Sequence, residues 1–200
     1  MRKLLLVPLL VVGVLALPAR AQTAGITNTK ISSEPGKVQM QQTTEMTARV
    51  VGIDRTARVV TLKGREGNTV DIVCGDDVRN FDQIKLGDQV SARYVESLYL
   101  ELKNTKAGVR ESVETEGGAR AQLGERPAGL AVRELVVLAD VVGVDPEKKT
   151  ITLKGPKGNL LTLPVTNPAQ FKVVKEGDQV EATYTQAFAV SVDPTPVLKK

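Results

Sequence analysis

The chain has 200 residues, 42% of them hydrophobic and 25% charged, and a formal net charge of +4. It holds no His, no Trp and one Cys. Without an imidazole there is no Ser-His or Cys-His nucleophile pair, no His general base and no His-ligated zinc or copper, which removes most common enzyme mechanisms.

The first 21 residues predict an export signal. Arg2 and Lys3 form a positive start, residues 4–17 are apolar apart from Pro8 and Gly13, and Ala19-Arg20-Ala21 supplies a small-x-small cleavage pattern. The apolar stretch is short for a transmembrane helix, which needs about 20 residues. The mature chain is therefore expected to begin at Gln22, in the periplasm or beyond, with no integral membrane segment. Removing the signal takes away three basic residues and leaves 24 basic against 23 acidic, a net charge of +1. Charge thus gives no reason to expect nucleic acid as a partner. Residues 22–42 read as a flexible extension and strand lead-in.

The next segment is the first copy of an internal repeat. ARVVGIDRTARVVTLKGREGN from Ala48 matches ADVVGVDPEKKTITLKGPKGN from Ala139, and FDQIKLGDQVSARY from Phe81 matches FKVVKEGDQVEATY from Phe171. The offset is 91 residues at first and 90 later, so one residue is lost between Val73 and Phe81. Order and spacing both hold, which identifies a duplication. Copy one spans 43–103 and copy two 130–193, joined by a linker over 104–129 that lacks strand periodicity; 194–200 is a tail.

Within copy one, five strands are predicted at 43–53, 58–63, 68–74, 89–95 and 98–102. Positions that stay apolar in both copies mark the inner face: Val60 and Leu62 match Ile151 and Leu153, and Val70, Ile72 and Cys74 match Leu161, Leu163 and Val165. Val90, Ala92 and Tyr94 recur unchanged as Val180, Ala182 and Tyr184, while Leu98, Leu100 and Leu102 match Phe188, Val190 and Val192. Phe81 and Phe171 are expected to plug one end of each copy, and Tyr94 and Tyr184 to lie in the cores. Gly52 and Gly143 interrupt first strands that are apolar on both sides, which predicts a bulge or coil. The fold class expected is all-β: two duplicated five-stranded OB-like barrels, with a pair of five-stranded open sheets or a sandwich formed from both copies as the alternative. Each copy is small for a lone core without disulfides, so the copies should pack with pseudo-two-fold symmetry through the lead-ins, 38–47 and 130–138.

Val50-Val51-Gly52-Ile53-Asp54, Thr61-Leu62 and Leu86-Gly87-Asp88-Gln89-Val90, repeated as Val141-Val142-Gly143-Val144-Asp145, Thr152-Leu153 and Gly177-Asp178-Gln179-Val180, resemble tandem small periplasmic β-barrel domains of unknown function. That resemblance implies a fold and no activity. The same frame is similar to the periplasmic copper-efflux metallochaperone, a family that binds Cu(I) through Met and His under a Trp. This chain has neither His nor Trp, so the copper site does not carry over.

Other candidate residues have simpler explanations. Met40, Met46 and Cys74 are the soft-metal candidates, but Met46 and Cys74 match Val137 and Val165, which suits core packing. Asp76-Asp77 has no acidic counterpart in copy two, and Glu114 and Glu116 lie in the linker; both pairs suit a solvated surface. Asp54, Asp145, Asp88 and Asp178 recur as turn residues. Lys63-Gly64 and Lys154-Gly155 lack the spacing of a phosphate-binding loop. No catalytic residue, metal or cofactor is therefore assigned. The expected function is that of a non-enzymatic exported interaction or accessory module with an envelope protein as partner, recognised by shape and edge strands through the lead-ins. A periplasmic small-ligand or metal-binding protein is the alternative, and a cofactor-independent hydrolase a distant third.

Overall fold

The computed structural model describes residues 25–106 and 110–194. The expected signal, 1–21, and nearly all of the tail lie outside them. The structure is all-β. Among the described residues there are ten strands: β1 (Ile26–Glu34), β2 (Lys37–Asp54), β3 (Val59–Gly64), β4 (Thr69–Val73), β5 (Gln89–Lys106), β6 (Ser112–Arg120), β7 (Ala128–Asp145), β8 (Thr150–Lys154), β9 (Leu160–Pro164) and β10 (Asp178–Asp193). They form one antiparallel sheet in the order β4-β3-β2-β5-β10-β7-β8-β9, with β1 added to β2 and β6 added to β7. The path is not closed, so the two separate barrels expected from the sequence are replaced by a shared open sheet.

Four strands of 16 to 18 residues make its spine. Along one edge, β2 pairs first with β1 (Glu34↔Lys37 to Ile26↔Glu45) and then with β3 (Ala48↔Gly64 to Asp54↔Val59). Strand β7 does the same with β6 and then β8. The expected linker, 104–129, thus contains β6, and the extension 22–42 contains β1. Both strands are exposed at nearly every residue, so burial imposes no apolar alternation on them. The lead-ins, expected to join the copies, pair within their own copies: 38–47 with β5 and 130–138 with β10.

The copies meet through β5 and β10. The predicted fourth and fifth strands of copy one are a single strand, β5, paired with β10 from Gln89↔Asp193 to Lys106↔Asp178. Each core consequently takes residues from the other copy. Val50, Val60, Phe81 and Ile84 enclose Val192, while Ala139, Val141, Leu153, Val174 and Val180 pack against Leu100 and Leu102. The expected bulge is present in both copies, because pairing skips from Val50 to Gly52 and from Val141 to Gly143. It sends Val51 outward and returns Ile53 to the core side. A Cβ at Gly52 would lie 2.9 Å from Thr61 Oγ1, so the strand needs glycine there.

Short lids close the ends of the cores. In copy one, Phe81 is 3% exposed. In copy two, Phe171 is only half-buried and Gln170 turns inward instead, at 4% exposure, so Phe171 is not the expected plug. The Gln170 side chain accepts from Gly36 N–H (2.9 Å) and donates to the Glu34 and Lys37 carbonyls (2.6 and 3.2 Å) and to Ser33 Oγ (3.1 Å). Asn80, its equivalent, donates to the Gln122 carbonyl (2.6 Å) and accepts from Gly124 N–H (3.1 Å). Each lid therefore grips the hairpin tip of the other copy.

Candidate functional site

The register of β5 and β10 places Glu96 opposite Gln186. These positions are equivalent, 90 residues apart, so the local two-fold axis of the duplication passes between them. On either side Tyr94 faces Phe188 and Leu98 faces Tyr184. Met40, Gln42 and Thr44 of β2 and Ala131, Arg133 and Leu135 of β7 extend these rows outward. Two-residue periodicity puts all of them on the face that also carries Val90, Val192, Leu102 and Val180, and hence both cores. Between the cores this face is an open trough, where Met40 and Phe188 are each 42% exposed.

The trough has a fixed polar centre. Glu96 Oε1 accepts from Tyr94 OH at 3.0 Å and from Tyr184 OH at 2.7 Å. Gln186 Nε2 donates to Tyr94 OH at 2.8 Å and, more weakly, to the same carboxylate oxygen at 3.5 Å. One carboxylate thereby ties down a phenol from each copy. Burial, and then the hydrogen bond to Glu96, hold the Tyr94 hydroxyl above the usual tyrosine range, and the same causes push Tyr184 much further up. Both rings remain neutral donors at physiological pH, their orientation set by the bonds they make.

Beside this centre lies a cleft of about 350 Å³, walled by Tyr94, Phe188, Ala131, Gln186, Arg133 and Glu116. Arg133 is ion-paired with Glu114 and lies 3.9 Å from Glu116. Hydrogen bonding to Glu114 raises the guanidinium pKa; both carboxylates lie on the exposed surface, and Glu116 stands at the wall of the cleft.

The other candidates named from the sequence fall elsewhere. Cys74 packs against the first core, and burial pushes its thiol up. Met40 lies on the trough floor, with Met46 half-buried on the same face of β2. Asp54 accepts from the Thr56 and Ala57 N–H groups and Asp145 from Lys148 N–H, both as turn caps. Asp88 and Asp178 accept from the Lys85 and Lys175 N–H groups, and Asp88 also holds Arg126 at 3.2 Å. Asp77 pairs with Arg120 at 2.8 Å. Among the described residues no group of three His, Cys, Asp or Glu side chains could hold a metal ion, and no helix is long and apolar enough to cross a membrane. Tyr94 and Tyr184, expected in the cores, stand between them. The signal in the sequence that locates the trough is Glu96 against Gln186, a polar pair on the apolar face of strands whose other inner positions stay apolar.

No family model matches the chain, and neither a curated protein nor a solved structure matches it.

Proposed function

We propose that this is a non-enzymatic, exported binding module of the bacterial cell envelope that receives an apolar side chain from a partner protein's segment in the trough. Each copy is read as an OB-like unit whose last strand has been lent to the other copy. The observation that carries the reading is the convergence of Tyr94, Tyr184 and Phe188, three of the six aromatic residues, on a sheet face between the two cores. Rigid aromatic floors with satisfied hydroxyls bind at low entropic cost, and such rings dominate protein recognition energetics. The neutral phenols favour binding over nucleophilic or acid–base work. The lead-ins have both edges occupied within the sheet, which moves the contact from them to the trough. The export pattern of residues 1–21 supplies the location.

A photo-crosslinking residue at Ala131, compared with one at Thr183 on the opposite face, tests the reading in cells. One discrete protein adduct at 131, absent at 183 and lost in a Phe188→Ser background, is expected. The rival small-ligand reading is favoured by the cleft volume, which falls within the range of about 300–1,000 Å³ typical of such sites. Native mass spectrometry of the exported protein decides between them: a retained small mass that disappears with Phe188→Ser, with no adduct at 131, would replace the proposal by that alternative.

A further inference from the structure

The two copies differ most sharply in charge where their edge strands change over. On β2 the partner changes from β1 to β3 at residues 46–47, and the row just beyond runs Lys63–Arg49–Gln89 across β3, β2 and β5. The equivalent row on β8, β7 and β10 is Lys154–Asp140–Gln179. In copy two the cross-strand pair is therefore Lys opposite Asp. The carboxylate is nearly buried, accepts from Gln179 Nε2 at 3.0 Å and is held by Arg110 at 3.5 Å. In copy one the same pair is Lys opposite Arg. Like charges directly across a ladder repel, and among the described residues no ion pair relieves Arg49, Lys63 or Arg65.

The copy-one position is also hollow. Arg49, Lys63, Arg65, Thr47 and Gln89 line an open cleft of about 270 Å³. Arg65 Nε donates to Thr47 Oγ1 at 3.1 Å, which sets the guanidinium over the cleft and leaves the threonine proton free to donate outward. Copy two has Pro156 and Leu138 at these two positions and supplies its own anion, Asp140. What the fold fills internally in one copy it leaves open in the other, with three cations around the opening.

We propose that this cleft is a binding site for a multivalent oxyanion of the phosphate class, held by Arg49, Lys63 and Arg65 with Thr47 and Gln89 as neutral donors. A single carboxylate has too few acceptor positions for this donor set, whereas a phosphate offers three or four oxygens to forked guanidinium and ammonium donors. The site is separate from the trough, on the opposite face of β5, and either assignment can fail without the other.

The test is a titration of the isotopically labelled protein with inorganic phosphate at constant ionic strength, followed by amide NMR. Saturable shifts confined to Thr47, Arg49, Lys63 and Arg65, with Leu138, Asp140 and Lys154 unmoved, are expected. Arg49→Asp, which installs the copy-two residue, should weaken binding by about tenfold or more and at the same time raise the melting temperature, because it turns a repulsive pair into an attractive one. An ordinary structural arginine would not give that opposed pair of effects. Sedimentation with phosphatidylglycerol vesicles, against phosphatidylcholine vesicles, identifies the source: Arg49-dependent capture by the anionic vesicles assigns the phosphate to a lipid headgroup, and saturation by free phosphate alone assigns it to a solute. Shifts that stay linear and spread over all surface cations, together with Arg49-independent vesicle capture or none, overturn the proposal.

Discussion

The two lids solve one packing problem in different ways. In copy one, six residues separate Cys74 from Phe81, and Phe81 points into the core while Asn80 reaches out in a left-handed conformation, φ 60°. In copy two the crossing is one residue shorter and the lid is a single helical turn, Gln170–Val173. One residue in such a turn rotates a side chain by about 100°, enough to bring Gln170 inward where Phe171 would otherwise lie. The buried amide then serves as a clamp, where copy one uses an exposed one. Duplication preserved the grip of each lid on the opposite hairpin while the chemistry of the grip diverged.

The largest effect is expected from breaking the comparison itself. Because Val192 completes the first core and Leu100 and Leu102 the second, a chain cut between Lys106 and Arg110 should give two fragments that each lose the full folding free energy, on the order of 5–15 kcal/mol. Circular dichroism of either fragment alone should show no cooperative melting, and mixing the two should restore it. A fragment that melts cooperatively by itself would refute the exchange of strands between the cores.

The clamps come next. Gln170→Ala strands the Gly36 N–H and removes three further contacts, at a cost of about 2–3 kcal/mol. Asn80→Gly keeps the left-handed backbone and loses only an exposed clamp, at a cost of about 1 kcal/mol. Chemical denaturation of the two variants measures the difference; equal losses would show that burial does not distinguish them.

Much of the fold is legible in the sequence, and the gaps have physical causes. On β3, β5, β8 and β10 the inner positions follow from period two, since both copies keep them apolar, whereas on β4 and β9 Ile72 and Leu161, also expected inside, are exposed. That parity runs unbroken from Val90 through Leu102, as one strand requires. The sequence nonetheless suggests a break at residues 96–97, because Glu96 puts a charge on the apolar face and a charge there looks like a turn. The same residue is the centre of the trough. Strands β1 and β6 leave no periodic trace because edge strands exposed on both faces need no alternation. The exchange between cores is hidden too, because Leu102 and Val192 are equivalent residues that suit either core.

The axis pair offers a finer test. Glu96 and Gln186 are symmetry-related, so Gln186→Glu would set two carboxylates face to face and destabilise the fold at neutral pH by about 1–2 kcal/mol. The loss should shrink as pH falls, because two facing carboxylates take up a shared proton more readily than either does alone. Exchanging the two residues, with Glu96→Gln added, should recover most of the stability, because a carboxylate at 186 would stand between the same two phenols. Failure of the exchange would mean that the two-fold relation holds for the backbone and not for the site.

The smallest effect at neutral pH is the one that reads the phenols directly. Tyr94 and Tyr184 have folded pKa values above the unfolded value of about 10. The folded state therefore binds more protons than the unfolded chain once pH exceeds about 10. Their contribution is flat below that point and stability falls as pH rises through the interval up to the folded values. Glu96→Gln removes the charge that helps to keep both phenols protonated, so the alkaline decline should become shallower, and phenolate absorbance should appear at lower pH in the folded protein. Val60→Ala, which damages the first core without touching the trough, should lower stability at every pH and leave that alkaline slope unchanged. Tying the slope to Glu96 alone separates a polar centre that orients two rings from one that merely fills space between two cores.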